Sequence, residues 1–399
     1  MKRTQAAAAG MALVTLICAG CSAKTPARSG PAASASKLAA SAAPGQSTCA
    51  SAGPFAPTSA EPSSTAASWP QRLLLRQGLV ERIADQVFNP DAGAAYALVS
   101  RTNTPVRGPY ILQCTQLRTG SVLEGPSFLV GSLAAASGYL WVYGAPQPGA
   151  QPVVYQVNPA TLARIRAVAL PAVPAGLPIA AFATGPGDSV WIGSYRTLLR
   201  VGVSTGIVSA RVTLPPGLTV TDISADPAGT TLYVSAAHVV GGFEGLVVLE
   251  YDARSGRLLA AASSGLLSYS VAGAGLTAVP GGVWASFRTG MMGRTIHLGQ
   301  AGLKVIAPPG PGVAMTSPSS VFHWPMYQAT AYGGGALWVA NQAGIVACLD
   351  PRTGQVRASE QVSQSQLIYP LAIDPARHAI YALNTNGLVQ ITPPQRCWS

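Results

Sequence analysis

The stretch Ala336–Val356 reads ALWVANQAGIVACLDPRTGQV. Its opening ALWVA is a short apolar run around Trp338, the composition of a strand buried on both faces. A polar break at Asn341–Gly344 leads into a second apolar run, IVACL, and then into Asp350-Pro351-Arg352-Thr353-Gly354. In such a turn the aspartate side chain bonds the backbone two residues on, proline presets φ, and glycine takes a positive φ.

The same pattern recurs along the chain. AYALVS begins at Ala95, LWVYG at Leu140, VWIGS at Val190, LYVSA at Leu232, VWASF at Val283 and IYALN at Ile380. With LWVAN at Leu337 these are seven copies, anchored by Tyr96, Trp141, Trp191, Tyr233, Trp284, Trp338 and Tyr381. The anchors fall roughly 42 to 54 residues apart, the period of propeller blades. Upstream of several copies lies a strand and an Asp-Pro or Asn-Pro turn, as in ISADPAGTT, AIDPARHA and VFNPDAGA. Downstream lies another strand and a glycine turn, as in CTQLRTGSV and LEYDARSGRLL, with Gly120, Gly256 and Gly354 at the turns. Four short antiparallel strands per repeat follow.

These repeats resemble the YVTN and quinoprotein-like propellers and the blades of virginiamycin B lyase-like proteins, Ala336–Val356 most of all. The resemblance implies an all-β, seven-bladed β-propeller of four-stranded blades. It implies no activity, because these families share blades between binding proteins and enzymes. The last copy supplies three strands, so the apolar segment Leu73–Val80 is expected to complete its blade and close the ring.

The N-terminus reads as an export signal. Met1-Lys2-Arg3 is positive and Ala6–Ala19 is apolar but short for a bilayer span. It ends in Cys18-Ala19-Gly20-Cys21-Ser22, which resembles a bacterial lipobox and implies lipidation at Cys21. Cys18 departs from the usual Leu or Val at its position, and ordinary secretion with nearby cleavage is the alternative. Ser22–Ser68 is built mostly from Ala, Ser, Pro, Thr and Gly, too little apolar surface to order itself. The expected organisation is therefore a signal peptide at 1–20, a tether at 21–68 and a propeller at 69–399. The expected location is the outer side of the cell membrane, held by lipid.

Cys49, Cys114, Cys348 and Cys397 remain for disulfides. Three pairings are possible, and Cys348 with Cys397 and Cys49 with Cys114 is preferred. No Cys/His spacing suggests a metal, and no cofactor is expected. The net charge of +11 favours anionic partners, while the absence of basic–aromatic clustering weighs against nucleic acid.

One face of a propeller carries the loops between second and third strands and those between blades. Read there, Arg101, Arg107, Arg196, Arg288 and Arg294, with His238 and His323, form the candidate ligand-binding set, since guanidinium groups suit carboxylate or phosphate. No catalytic constellation is found: there is no GxSxG, HExxH or P-loop. Asp85 and Asp222 occupy matching first-strand positions and carry a structural reading. The leading expectation is a monomeric binding or interaction scaffold whose partner is an envelope protein or an anionic glycan. The alternative is a lyase or hydrolase, which would need His238 or His323 to meet a carboxylate such as Glu244.

Overall fold

Short runs of apolar, β-branched and aromatic residues separated by Asp, Pro and Gly leave little room for anything but strands. The computed structural model describes residues 69–76, 82–89, 93–100, 109–116, 121–145, 150–171, 181–240, 243–268, 275–289, 292–300, 302–307, 329–340, 344–362, 367–384 and 387–398. Among them are strands and two single-turn 3₁₀ segments, with no α-helix.

The strands meander in antiparallel units. The first is β2 (Arg82–Asn89), β3 (Ala94–Ser100), β4 (Pro109–Gln116) and the first half of β5 (Val122–Ala136). The second half of β5 begins the next unit, with β6 (Tyr139–Ala145), β7 (Val153–Val157) and β8 (Arg164–Ala169). Register shows the handover: Val122–Leu129 pair with β4, and Leu129–Ala136 pair with β6. The third unit holds β9 (Ala181–Thr184), β10 (Ser189–Ser194), β11 (Thr197–Gly202) and β12 (Val208–Thr213). The fourth holds β13 (Leu218–Ala225), β14 (Thr231–Val240), β15 (Phe243–Asp252) and β16 (Leu258–Ser268). The fifth holds β17 (Gly275–Val279), β18 (Gly282–Thr289), β19 (Met292–Gly299) and β20 (Val305–Ala307). The sixth holds β21 (Ala329–Gly333), β22 (Ala336–Ala340), β23 (Ile345–Leu349) and β24 (Val356–Gln361). The last joins β25 (Leu367–Asp374), β26 (Ala379–Asn384) and β27 (Gly387–Ile391) to β1 (Gln71–Arg76), taken from the other end of the sequence.

The innermost strands touch in a closed cycle: β2 to β5, then β9, β13, β17, β21 and β25, and β25 back to β2. The fold is a β-propeller. Its closure is the one expected, with β1 as the outer strand of the last unit, although β1 runs from Gln71 to Arg76 and residues 77–80 lie outside the described set. Closure pairs the last unit's third strand, which would otherwise be an open edge.

All seven aromatic anchors are fully buried in their second strands. Six of them, all but Tyr381, sit in separate apolar clusters along the ring, several of which join side chains of adjacent units. Cys348 and Cys397 form a disulfide with Cα atoms 5.7 Å apart, an ordinary separation. Around it pack Trp69, Trp338 and Ile391, so the first and last described segments of the propeller meet at the closing seam in one cluster. Cys114 is also disulfide-bonded; Cys49, its preferred partner, lies outside the described residues, as does Cys21.

Candidate functional site

In an up-and-down unit, the first hairpin and the third open at one end, and the second hairpin opens at the other with the connections between units. Two faces result, with different chemistry.

At the first face, the turns after β15 and β23 follow one design. Asp252 Oδ1 accepts the N–H groups of Arg254 (3.1 Å) and Ser255 (2.6 Å), and Asp350 Oδ1 accepts those of Arg352 (3.0 Å) and Thr353 (2.9 Å). Burial opposes the Asp350 carboxylate, but the Thr353 and Arg352 donors and the Arg357 guanidinium hold it down at about 2. Gly354, at φ 72°, closes the turn, and a Cβ there would lie 2.6 Å from Trp284 Cη2. The glycine thus serves both the turn and the neighbouring unit's indole.

That closeness belongs to a system of bonds between units. For five of the seven aromatic anchors, the residue opposite on the third strand reaches the turn of the next unit or, at the seam, the segment after β27. Gln156, opposite Trp141, donates from Nε2 to Val203 O (3.0 Å). Arg200, opposite Trp191, donates to Arg254 O. Glu250, opposite Tyr233, accepts the Gly302 N–H (3.3 Å). His297, opposite Trp284, faces Arg352 O with Nδ1 (3.1 Å), stacks on the indole at 4.6 Å, and has its pKa lowered by burial. Cys348, opposite Trp338, makes the link covalent through Cys397, in the segment after β27. Two indoles add their own bonds: Trp191 Nε1 donates to Ala253 O (3.1 Å) and Trp284 Nε1 to Pro351 O (2.8 Å). The sequence reading missed this position. Its signal was present as the residue that sits two positions before each turn aspartate or its equivalent, but its chemistry changes from unit to unit.

The inner strands are tied as well. Asp222 accepts the Leu276 N–H at Oδ2 and the Ile223 N–H at Oδ1, both 2.8 Å, so it bridges β13 to β17. Burial outweighs those donors and pushes its carboxyl up to about 6. Ser224 Oγ accepts the Ala278 N–H (3.1 Å), and Thr277 and Thr330 hydroxyls meet at 2.5 Å. Asp222 thus carries the structural role expected of it. Asp85 holds the matching place, each following a one-residue bulge in its strand.

The second face holds the expected ligand-binding set. Arg101, Arg107 and His323 lie outside the described residues. Arg196 is half-buried, donates from Nη2 to Leu214 O (3.3 Å), and has an Nε without a hydrogen-bond partner. Beside it Tyr195, at φ 52°, accepts the Val220 N–H at 2.7 Å. His238 pairs with Leu218 and lies against Gly217, whose Cβ would stand 3.3 Å from the ring. The structure therefore brings Arg196 and His238 to one connection, residues 214–220. Arg288 and Arg294 are placed by their backbone at the end of the β18–β19 hairpin. Register pairs Arg288 with Gly293 and Phe287 with Arg294. Opposite residues share a sheet face and successive ones alternate, so these two arginines hold positions on opposite faces of the sheet. For the pairing that an enzyme would need, register sets Val239 opposite Glu244 and His238 opposite Gly245. Among the described residues, no group of three His, Cys, Asp or Glu is placed to hold a metal, and no helix is long and apolar enough to cross a membrane.

The chain matches no protein-family model and no curated protein. In shape, 1057 solved chains match. One is the crystal structure of BamB from Moraxella catarrhalis, at 14% sequence identity and a TM-score of 0.48, over 81% of this chain and 99% of that one.

Proposed function

We propose that this chain is an exported lipoprotein, acylated at Cys21 and tethered through residues 22–68, whose seven-bladed propeller at 69–399 is a protein-interaction scaffold in the cell envelope. Cys49 is the proposed partner of Cys114. The observation that carries the scaffold reading is the length of two neighbouring hairpins on the second face. β14 and β15 continue past the start of β13, through Val240 paired with Phe243. β18 and β19 continue past the start of β17, through Thr289 paired with Met292. The sequence of these overhangs mixes Val239, Val240, Phe243, Phe287 and Met292 with Arg288 and Arg294, a composition enriched in protein interfaces. Arg196 already spends a donor on Leu214 O, which favours a broad contact over an arginine-lined anion pocket.

Two measurements test this. A fatty-acid label should enter the wild-type chain in cells and be lost in Cys21→Ala; a label retained in that variant removes the anchor. A photo-crosslinking side chain at position 240 should give a discrete protein adduct that one at position 255, on the other face, does not. Adducts at neither position, or at 255 alone, overturn the scaffold reading.

A further inference from the structure

Every large hydrophobic side chain that is exposed among the described residues belongs to an outermost strand or the turn leading into one. Val122, Ile165, Val208, Leu258 and Val356 are first or second residues of β5, β8, β12, β16 and β24. Ile207, in the turn before β12, is 66% exposed. All stand beside the turns of the first face, so they recur around its rim in five of the units. A surface leucine on an edge strand is ordinary by itself. The recurrence at one end of the fold is not required by the core, because these side chains face outward.

Exposed cations accompany them. Arg164 precedes Ile165, Arg257 precedes Leu258, and Arg254, Lys304 and Arg352 are exposed in the same set of turns. The carboxylates of the same turns are already engaged: Asp188, Asp226, Asp252 and Asp350 each accept backbone N–H groups, and Asp350 also pairs with Arg357.

The chain also enters the fold here. β1 runs antiparallel to β27, with Gln71 opposite Ile391, and the Thr392 N–H donates to Pro70 O at 2.9 Å. Ile391 ends the third strand of its unit, at the turn-bearing face. Residue 69, to which the tether leads, is thus at the rim that carries the apolar side chains and the arginines.

We propose that this face docks on an anionic phospholipid surface, with the apolar rim seated at the headgroup boundary and the arginines and Lys304 on lipid phosphates. The occupant follows from the exposed cations set among the apolar side chains and from the point of chain entry, since the segment that carries the proposed anchor joins the propeller at this rim. Apolar burial and cation–phosphate attraction act together in such contacts. The second face, with its long hairpins, then looks away from the membrane toward partners. The inference rests on the proposed lipid anchor for its geometry.

The test uses the processed full-length chain, reconstituted in vesicles of phosphatidylglycerol with phosphatidylcholine or of phosphatidylcholine alone. Hydroxyl-radical footprinting reads exposure. Residues 207, 258, 259 and 356 should be protected on the phosphatidylglycerol vesicles and labelled freely on phosphatidylcholine, while 238–246 is unchanged between the two. Arg257→Ser should weaken the protected state about fivefold, and Ile207→Ser with Leu258→Ser should abolish it. Equal labelling of the rim on both vesicles overturns the proposal, and so does rim protection that persists without vesicles, which would mean that another part of the chain or a second copy covers it. Flotation on phosphatidylcholine reads the anchor separately: a chain that does not float there lacks the acyl group, yet its flotation and rim protection on phosphatidylglycerol still decide the docking face.

Discussion

The boundary between the third and fourth units and the boundary between the fourth and fifth perform the same task with different chemistry. At the first, Trp191 donates from its indole to Ala253 O and Arg200 reaches Arg254 O. At the second, the anchor is Tyr233, whose buried hydroxyl has no hydrogen-bond partner, and the link falls to Glu250, buried and accepting the Gly302 N–H. The indole satisfies its one donor on a neighbour's backbone. The phenol fills the same space but leaves a polar atom stranded, and its pKa is raised by burial first and by Glu250 and Asp226 after it. Tyr96 and Tyr381 repeat the condition, each pushed up to about 12 by burial. The ring tolerates this because the aromatic area, not the polar tip, supplies most of the anchor's contribution.

The comparison breaks most directly at an indole. Trp284→Ala should cost about 3 to 5 kcal/mol, since it opens a cavity, unstacks His297 and strands Pro351 O. Urea unfolding measures it, and a loss under about 1 kcal/mol would mean that the anchors are not the source of stability. Next in size is the covalent version of the link. Cys348→Ser with Cys397→Ser should lower unfolding free energy by about 2 to 4 kcal/mol, compared under conditions that leave Cys114 oxidised.

A third test uses the buried acid between β13 and β17. The Asp222 carboxyl titrates near 6 in the fold, above the ordinary value for aspartate, so folding favours its protonated form. Its contribution is full below about pH 4 and is lost as pH rises through about 6, by at most about 3 kcal/mol. The thermal midpoint of the wild-type chain should fall across that window, and Asp222→Asn should flatten the slope. An unchanged slope would place the titration elsewhere. The smallest effect sharpens the comparison from the other side: Tyr233→Phe should leave stability within about 0.5 kcal/mol or raise it slightly, because it removes a polar atom that bonds nothing. A cost above about 2 kcal/mol would show that the hydroxyl has a partner after all.

The repeat was legible because its demands are uniform. A second strand buried on both faces calls for Trp or Tyr among Val, Leu and Ala, and a tight turn calls for Asp, Asn or Gly. Both constraints act in every unit, so Trp141 and Trp338 look alike in sequence. The position across from the anchor was illegible for the opposite reason. It needs only some group that reaches a neighbour's backbone, and Gln156, Arg200, Glu250 and His297 all do so with different atoms. No single residue type accumulates there, so no motif forms. The pairing of Cys348 with Cys397 could be favoured from their neighbouring repeats, but not the fact that it extends the same series. The candidate ligand face was the least legible part. Loops carry no period, and a list of arginines says nothing about which side of a hairpin each one takes. Arg288 and Arg294 show the limit, since register separates residues that sequence had grouped.

The strand that completes the last unit is the first strand of the propeller to be synthesised. Gln71–Arg76 has no ladder to join until Gly387–Ile391 exists, so the earliest propeller strand to leave the ribosome waits for the latest. Contacts of that sequence separation are slow to form. Truncation anywhere before β27 therefore does more than remove a blade: it leaves β1 without a partner and the ring open at the seam where Trp69 and Cys397 would meet. The first and last strands of the propeller thus share one seam, and a chain that stops short of β27 cannot close it.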